Sequence, residues 1–362
     1  MSITILTASD VDAIIKDRSA LDQALASQRA ILTAFSNSGS TSEPPAIQIP
    51  LRTTVTSDDV TALCMPSRVK ALEPSGGAAE AEEGEGTGIG VKLVCVPHSS
   101  QAGLPATTTL FDSRTGQLKA VVNARNLTAL RNACASALFI QSLPAVSSTA
   151  ISLVLFGSGA QAKYHAHVLT KTVPTLRKTT IVARRETGRL HALVKELQEA
   201  LDGENAGYEV RSVIGTPESG RIAAAVSDAD IICTMTSSTV PLFHSAVKPS
   251  CALILVGSYK PHMREISQDV LAQAREGGRK VVVDSREACL KEAGELIEAG
   301  MGEEDVVELG EVLNGGTVGG EKGKGAYLFK SVGISIQDIA IADVMLRMAK
   351  QQGIGTVVPG YD

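Results

Sequence analysis

The chain has 362 residues, 44% of them hydrophobic and only 3% aromatic, with no Trp. Such a core is built from Ala, Val, Ile and Leu, as in α/β proteins with buried strands, and the length suits two domains. The formal charge of −5, from 34 basic and 39 acidic residues, offers no basic surface for nucleic acid, and no apolar run approaches the roughly 20 residues that cross a membrane.

Residues 1–40 read as a helix, capped by Ser9 ahead of Asp10-Val11-Asp12 and continuing through Leu21, Leu25 and Ile31. The acidic break at Asp10 and Asp12 is not the pattern of a signal peptide, so a cytoplasmic protein is expected. Strand-like runs follow at 46–54 and 61–65. Residues 73–88 then hold five glutamates and no Lys or Arg, and removing their −5 from the total of −5 leaves the rest formally neutral. This stretch is expected to be a mobile, solvated loop. In 89–96 the residues Ile89, Val91, Leu93 and Cys95 share one face of a strand, with Lys92 on the other. Residues 107–111 and 118–122, joined through Ser113-Arg114-Thr115-Gly116, form a hairpin of an antiparallel sheet. A helix rich in Ala and Leu runs from about 128 to 143.

From Ile151 the rhythm becomes strand, helix, strand. Strands are expected at 151–156, 179–183, 208–213, 231–235, 252–256 and 281–284, with helices at 161–170 and 190–201. That alternation predicts a parallel sheet with helices on both faces. A glycine-rich stretch, 315–325, precedes a last helix at 337–350. The six cysteines, Cys64, Cys95, Cys134, Cys233, Cys251 and Cys289, include no Cys-x-x-Cys pair and read as buried, reduced thiols. His98, His165, His167 and His244 show no metal-ligand spacing, and no metal is expected.

The strand 151–156 runs into Gly157-Ser158-Gly159-Ala160-Gln161-Ala162, a Gly-x-Gly-x-x-Ala turn that opens a helix. Gly157 permits the tight turn, Gly159 lets the backbone approach a pyrophosphate at the helix N-terminus, and Ala162 lets helix and strand pack closely. The alternative is a ligand-free βα turn. The second strand ends in Ala183-Arg184-Arg185 rather than an acidic residue. Guanidinium forks suit a 2′-phosphate, which favours NADP(H). NAD(H) is the alternative, with both arginines solvated beside Glu186. Lys92, Arg131 and Arg52 are the candidate substrate cations: converging, they would bind a carboxylate; apart, they are surface charges.

The chain resembles the ornithine cyclodeaminase/mu-crystallin family over nearly its whole length. The resemblance is carried by Gly90-Val91-Lys92-Leu93-Val94, Gly103-Leu104-Pro105, Thr115-Gly116 with Leu118-Lys119-Ala120, Leu127-Thr128-Ala129-Leu130-Arg131, and Phe156 to Ala162. Val256-Gly257-Ser258, Val283-Asp284-Ser285, Glu308-Leu309-Gly310-Glu311 and Phe329-Lys330-Ser331-Val332-Gly333 follow in the same order. It implies a homodimer whose subunits have a Rossmann domain, 131–327, and an α+β substrate and dimerisation domain made of both termini, 1–130 with 328–362. Lys92 and Arg131 match the family's substrate-carboxylate residues, and Arg52 a third. Gly157, Ser158, Gly159, Ala160 and Gln161 match the pyrophosphate turn, and Arg184 the position near the NADP phosphate, with Arg185 beside it. Thr236, Ser237, Val256, Ser258, Lys330 and Ser331 match positions around the nicotinamide. The stretches 73–88 and 315–325 look like insertions relative to the family.

One departure bears on function. The cyclodeaminases carry an acidic residue just after the strand that ends here in Val256-Gly257, where this chain reads Ser258-Tyr259-Lys260. A phenol keeps its proton at neutral pH and replaces a carboxylate poorly. The expectation is therefore an NADPH-dependent reductase of a small cyclic imino acid. The alternatives are an ornithine cyclodeaminase that recycles bound NAD, and a protein that binds NADPH and a small ligand without turnover.

Overall fold

The computed structural model describes residues 2–38, 47–69, 88–98, 104–204 and 207–361. The expected acidic loop lies outside them except for Gly88, as do Ala46 and Gly103. The chain divides into two compact units, Met1–Arg131 with Ile334–Asp362, and Asn132–Gly333.

The first unit begins with strand β1 (Ser2–Leu6) and helices α1 (Ala8–Ile15) and α2 (Arg18–Ser36). The single helix expected here is thus a strand and two helices. Thr7, not Ser9, caps α1: its side chain accepts from the Asp10 amide and Asp10 accepts from the Thr7 amide in return. Asp17 starts the second helix by accepting from the Ser19 amide at 2.9 Å. Strands β2 (Ile47–Gln48), β3 (Thr53–Thr56), β4 (Val60–Val69), β5 (Ile89–Pro97), β6 (Ala106–Phe111) and β7 (Leu118–Asn123) follow, and then the start of α3 (Leu127–Gln141), which counts with the second unit from Asn132 on. The expected hairpin is the antiparallel pair β6 and β7.

The second unit contains α4 (Pro144–Ser147), β8 (Ser152–Phe156), α5 (Ala160–Thr172), β9 (Lys178–Ala183), α6 (Gly188–Glu204), β10 (Glu209–Ile214), α7 (Gly220–Ser227), β11 (Ile231–Thr234) and β12 (Ala252–Leu255). It continues through α8 (Gln268–Ala274), β13 (Val281–Val283), α9 (Arg286–Glu292), α10 (Gly294–Glu298), β14 (Val306–Glu308), α11 (Leu309–Leu313) and β15 (Tyr327–Lys330). The strands form one sheet in the order β10-β9-β8-β11-β12-β15-β13-β14. Every neighbouring pair is parallel. All five residues of β8 are buried, as a central strand covered on both faces requires. The order reverses between β8 and β11, so the crevice beyond their carboxyl ends is the switch point at which such sheets bind ligands.

The chain returns to the first unit through α12 (Ser335–Gln352) and β16 (Thr356–Pro359). Because β15 is an interior strand of the second unit's sheet, the return falls at Gly333 rather than at 327, where the sequence reading placed it. The first unit's sheet has the order β16-β1-β7-β6-β5-β4-β2, with β3 also on β4. Helix α12 packs against β4, β5, β6 and β7 on one face. On β5 the alternation is as expected but the buried side is the other one. Gly90, Lys92 and Val94 are buried under α12, whereas Ile89 and Leu93 are 42% and 45% exposed. At Gly90 a side chain would collide with Ile339 of α12 at 2.8 Å, so this glycine seats the helix beside Lys92.

Candidate active site

Lys92 on β5, Arg131 in α3 and Asp338 in the first turn of α12 are all buried. Lys92 Nζ donates to Asp338 Oδ1 at 3.0 Å, and Arg131 Nε donates to the same oxygen at 3.2 Å. Arg131 Nη1 also donates to Gln337 Oε1 at 2.9 Å, and Gln28 Nε2 of α2 fixes the Gln337 carbonyl at 3.1 Å. An ammonium has three N–H donors, and Asp338 engages only one of them. Burial pushes the Lys92 amine below its ordinary value; Asp338 opposes this, and the charges of Arg131 and Arg52 add to it. Arg52, half-buried just ahead of β3, is therefore close enough for its charge to be felt at Lys92.

Among the described residues, Gln337 Nε2, Asp338 Oδ2 and the hydroxyl of Thr108 are buried without a hydrogen-bond partner. Thr108 stands opposite Lys92 across β5 and β6. Two cations converging on one carboxylate oxygen, with Gln337 Nε2 and the Thr108 hydroxyl as further unmet donors, suit a small anion, and a carboxylate fits their geometry. Asp338 was absent from the sequence reading. The signal was an acidic residue among Ile336, Ile339, Ala340 and Ile341 in the first turns of a helix, but its partner Lys92 is 246 positions away.

In the second unit the glycine turn has the geometry that a dinucleotide needs. Gly157 has φ of 120°, a region that side-chain-bearing residues rarely enter, and its amide donates to Val182 at 3.0 Å. Gly159 is the N-cap of α5 and provides no side-chain cap. A Cβ built on it would meet nothing within 4 Å, so open space lies over the helix N-terminus, where a pyrophosphate would sit. Gln161 Oε1 is buried without a partner among the described residues, and so is Thr236 Oγ1 across the switch point. These residues fit a bound dinucleotide.

Arg184 and Arg185 are exposed just beyond β9. Glu186 is turned to His191, at 2.8 Å, which leaves the two guanidiniums to the solvent side. The six residues expected near the nicotinamide divide. Thr236, Ser237 and Val256 are open or half-open at the ends of β11 and β12. Ser258, Lys330 and Ser331 are buried and bonded within the unit: Lys330 Nζ donates to Ser258 Oγ at 2.5 Å, and Ser331 Oγ donates to Asp284 Oδ2 at 2.6 Å. Tyr259 packs against the unit's core, with Lys260 Nζ 5.9 Å from its ring centroid.

His165 is buried between Ser136 Oγ at 2.9 Å and the Gln161 carbonyl at 2.8 Å, and burial pushes it down to about 4. No group of metal ligands occurs among the described residues, and none of their helices is long and apolar enough to cross a membrane. All six cysteines are free, with Cys64 and Cys95 half-buried and the other four buried.

Residues 77–353 match the Ornithine cyclodeaminase/mu-crystallin family. The chain belongs to this family. Its relatives include a Delta(1)-pyrroline-2-carboxylate reductase of Bacillus cereus, 30% identical over 307 residues, which are 82% of this chain and 84% of the relative. The ketimine reductase mu-crystallin of Rattus norvegicus is 31% identical over 246 residues, 66% of this chain and 68% of the relative. Among solved structures, the Thermococcus litoralis Delta(1)-pyrroline-2-carboxylate reductase in complex with NADH and L-proline superposes with a TM-score of 0.75 at 22% identity, covering 98% of this chain and 99% of that one. An archaeal alanine dehydrogenase dimer with bound NAD gives a TM-score of 0.75 at 20% identity, with 100% of both chains covered. At these identities the two structures establish the shared fold. The two curated relatives above are named as reductases, and a further one, of Dictyostelium discoideum, as an uncharacterized cyclodeaminase, 28% identical over 294 residues, 74% of this chain and 77% of the relative.

Proposed function

We propose that this chain reduces a small cyclic imino acid, such as Δ1-pyrroline- or Δ1-piperideine-2-carboxylate, to the cyclic amino acid with NADPH. The observation that carries the reading is the convergence of Lys92 and Arg131 on one oxygen of Asp338, in a chain whose other unit holds a dinucleotide turn. The relatives named as pyrroline-2-carboxylate and ketimine reductases support it.

In this reading Lys92 and Arg131, with Arg52, hold the substrate carboxylate, and Asp338 keeps the first two aligned. Fixing the carboxylate fixes the imine carbon two bonds away from its oxygens, and orientation of this kind supplies much of the rate. The bound nicotinamide supplies the hydride. The ring nitrogen gains a proton from Lys92 or from water, so the product is a secondary amine beside an intact carboxylate. Arg184 and Arg185 take the 2′-phosphate of NADPH as guanidinium forks. The family resemblance assigns the substrate and the dimer contact to the first unit. Tyr259, in place of the acid that the cyclodeaminases carry, argues against release of ammonia from ornithine.

The experiment mixes the purified protein with NADPH or NADH and each cyclic imine, and follows the nicotinamide absorbance. Ornithine with NAD is assayed for ammonia in parallel. Oxidation of NADPH by an imine is the expected result. Silence with every imine together with ammonia from ornithine would replace the reductase by a cyclodeaminase. Silence in both with NADPH still bound would leave a binding protein.

A further inference from the structure

Glu265 is fully buried in the second unit and accepts three backbone amides. Its Oε1 takes the Thr236 amide at 2.8 Å. Its Oε2 takes the amides of Gly257 at 2.6 Å and Ser258 at 3.2 Å. Thr236 lies just beyond β11, and Gly257 and Ser258 just beyond β12, so one carboxylate ties together the loops that leave two adjacent parallel strands. Only glycine admits this approach at 257: a Cβ there would stand 2.3 Å from Glu265 Oε1 and 2.2 Å from the Thr236 carbonyl. Glu265 is itself held, because its amide donates to Glu295 Oε1 at 2.6 Å. Ser258 Oγ donates to Glu295 Oε2 at 2.8 Å and accepts from Lys330 Nζ, which brings the end of β15 into the same network.

The place of this network in the sheet gives it a role. A doubly wound sheet binds the two halves of a dinucleotide on either side of its switch point. The glycine turn takes the pyrophosphate and the end of β9 the adenosine ribose, so the other half lies across the switch point, over the ends of β11 and β12. We propose that Glu265 is the positioning residue for the nicotinamide half of the dinucleotide. It fixes the backbone at Thr236, Gly257 and Ser258, and it leaves the buried Thr236 hydroxyl, which has no partner among the described residues, to face the ligand. This rests on the dinucleotide reading above.

The test compares the dissociation constants of NADPH and of 2′,5′-ADP, which carries the adenosine half alone, in the wild type and in Glu265→Gln. Gln has one acceptor oxygen in place of two and sets an NH2 donor against an amide N–H. The NADPH constant should rise about tenfold or more, the change that accompanies loss of one charge-assisted hydrogen bond, while that of 2′,5′-ADP stays at the wild-type value. An unchanged NADPH constant, or equal weakening of both ligands, overturns the proposal. Hydrogen exchange on the ligand-free wild type is the second measurement. The amides of Thr236, Gly257 and Ser258 should be protected before any nucleotide is added; exchange at the rate of an open loop overturns the proposal even if the variant does not fold. A wild type that binds neither nucleotide overturns the dinucleotide reading itself, a failure visible without any substitution.

Discussion

Lys92 combines two demands that pull in opposite directions. Its amine is buried, and burial, together with Arg131 and Arg52, lowers its proton affinity against the help of Asp338. Between its folded value and the 10.5 of a free lysine, the unfolded chain binds the proton and the folded chain does not, so stability rises with pH across that window. A substrate carboxylate needs the ammonium, so substrate affinity falls across the same window. Denaturation midpoints and KM for the imine, measured from pH 7 upward, should therefore diverge, with KM rising at a lower pH than an ordinary lysine allows; a KM that is flat to pH 10 would remove Lys92 from the carboxylate site. Lys92→Met should leave a folded protein, since Asp338 retains Arg131, and should raise KM by about 10- to 100-fold, as loss of a charge-assisted hydrogen bond predicts. Asp338→Asn removes the charge that Lys92 and Arg131 share and should cost about 3–5 kcal/mol in a denaturant titration. On the cofactor side, replacing Arg184 and Arg185 together by Ala should abolish the proposed preference for NADPH over NADH; a preference that survives would move the proposed phosphate site elsewhere.

At the scale of the element, the turn between β8 and α5 separates binding from folding within three residues. Gly159 has open space around its Cβ direction and φ of −97°, which any residue can adopt. Gly159→Ala should cost the fold about 1 kcal/mol or less as an exchange at an N-cap, yet it places a methyl group where the proposed pyrophosphate would approach, so NADPH affinity should collapse. Gly157→Ala meets only ordinary contacts at 3.5 Å, but its φ of 120° makes the backbone costly for a side chain, about 1–3 kcal/mol. Thermal unfolding beside NADPH titration distinguishes the two; equal losses of stability would refute the contrast. This turn was legible because its information is local: a five-residue buried run, two glycines and a helix. Strands β14 and β15, of three and four residues, are too short to show a period and are placed by their pairing, β15 between β12 and β13 and β14 at the edge on β13. The N-terminal helix was misjudged at Thr7 and Asp17, where caps end and restart regular structure within a few residues. The buried side of β5 could not be read from its own alternation either. It is decided by α12, and the carboxylate that makes Lys92 a buried, paired cation rather than a surface charge arrives from that helix.

At the scale of the whole molecule, the same reversal on β5 bears on assembly. With Lys92 turned toward α12, the strand presents Ile89, Val91, Leu93 and Cys95 on its other face. Cross-strand neighbours extend that face, with Cys64 opposite Leu93 and Ala62 opposite Cys95 on β4, and Phe111 opposite Ile89 on β6. Ile89 and Leu93 are exposed, and the other five are half-buried. Arg68 stands opposite Ile89, Thr109 opposite Val91 and Thr107 opposite Leu93 on the same face, so apolar and polar residues share it, and its exposed Ile89 and Leu93 would be the anchors of the proposed homodimer. Leu93→Glu places a charge in the middle of the face without touching the buried side of the strand. Light scattering should then show the mass falling from twice the 37.7 kDa of the chain to a single chain. NADPH affinity should remain, because the residues proposed to hold the dinucleotide all belong to the second unit. KM for the imine should rise, because Leu93 and Lys92 are consecutive residues of one strand, and a strand freed on its outer face holds Lys92 less firmly against Asp338. A variant that stays dimeric would place the interface elsewhere. A monomer with unchanged KM would keep the interface and remove its influence on the carboxylate site.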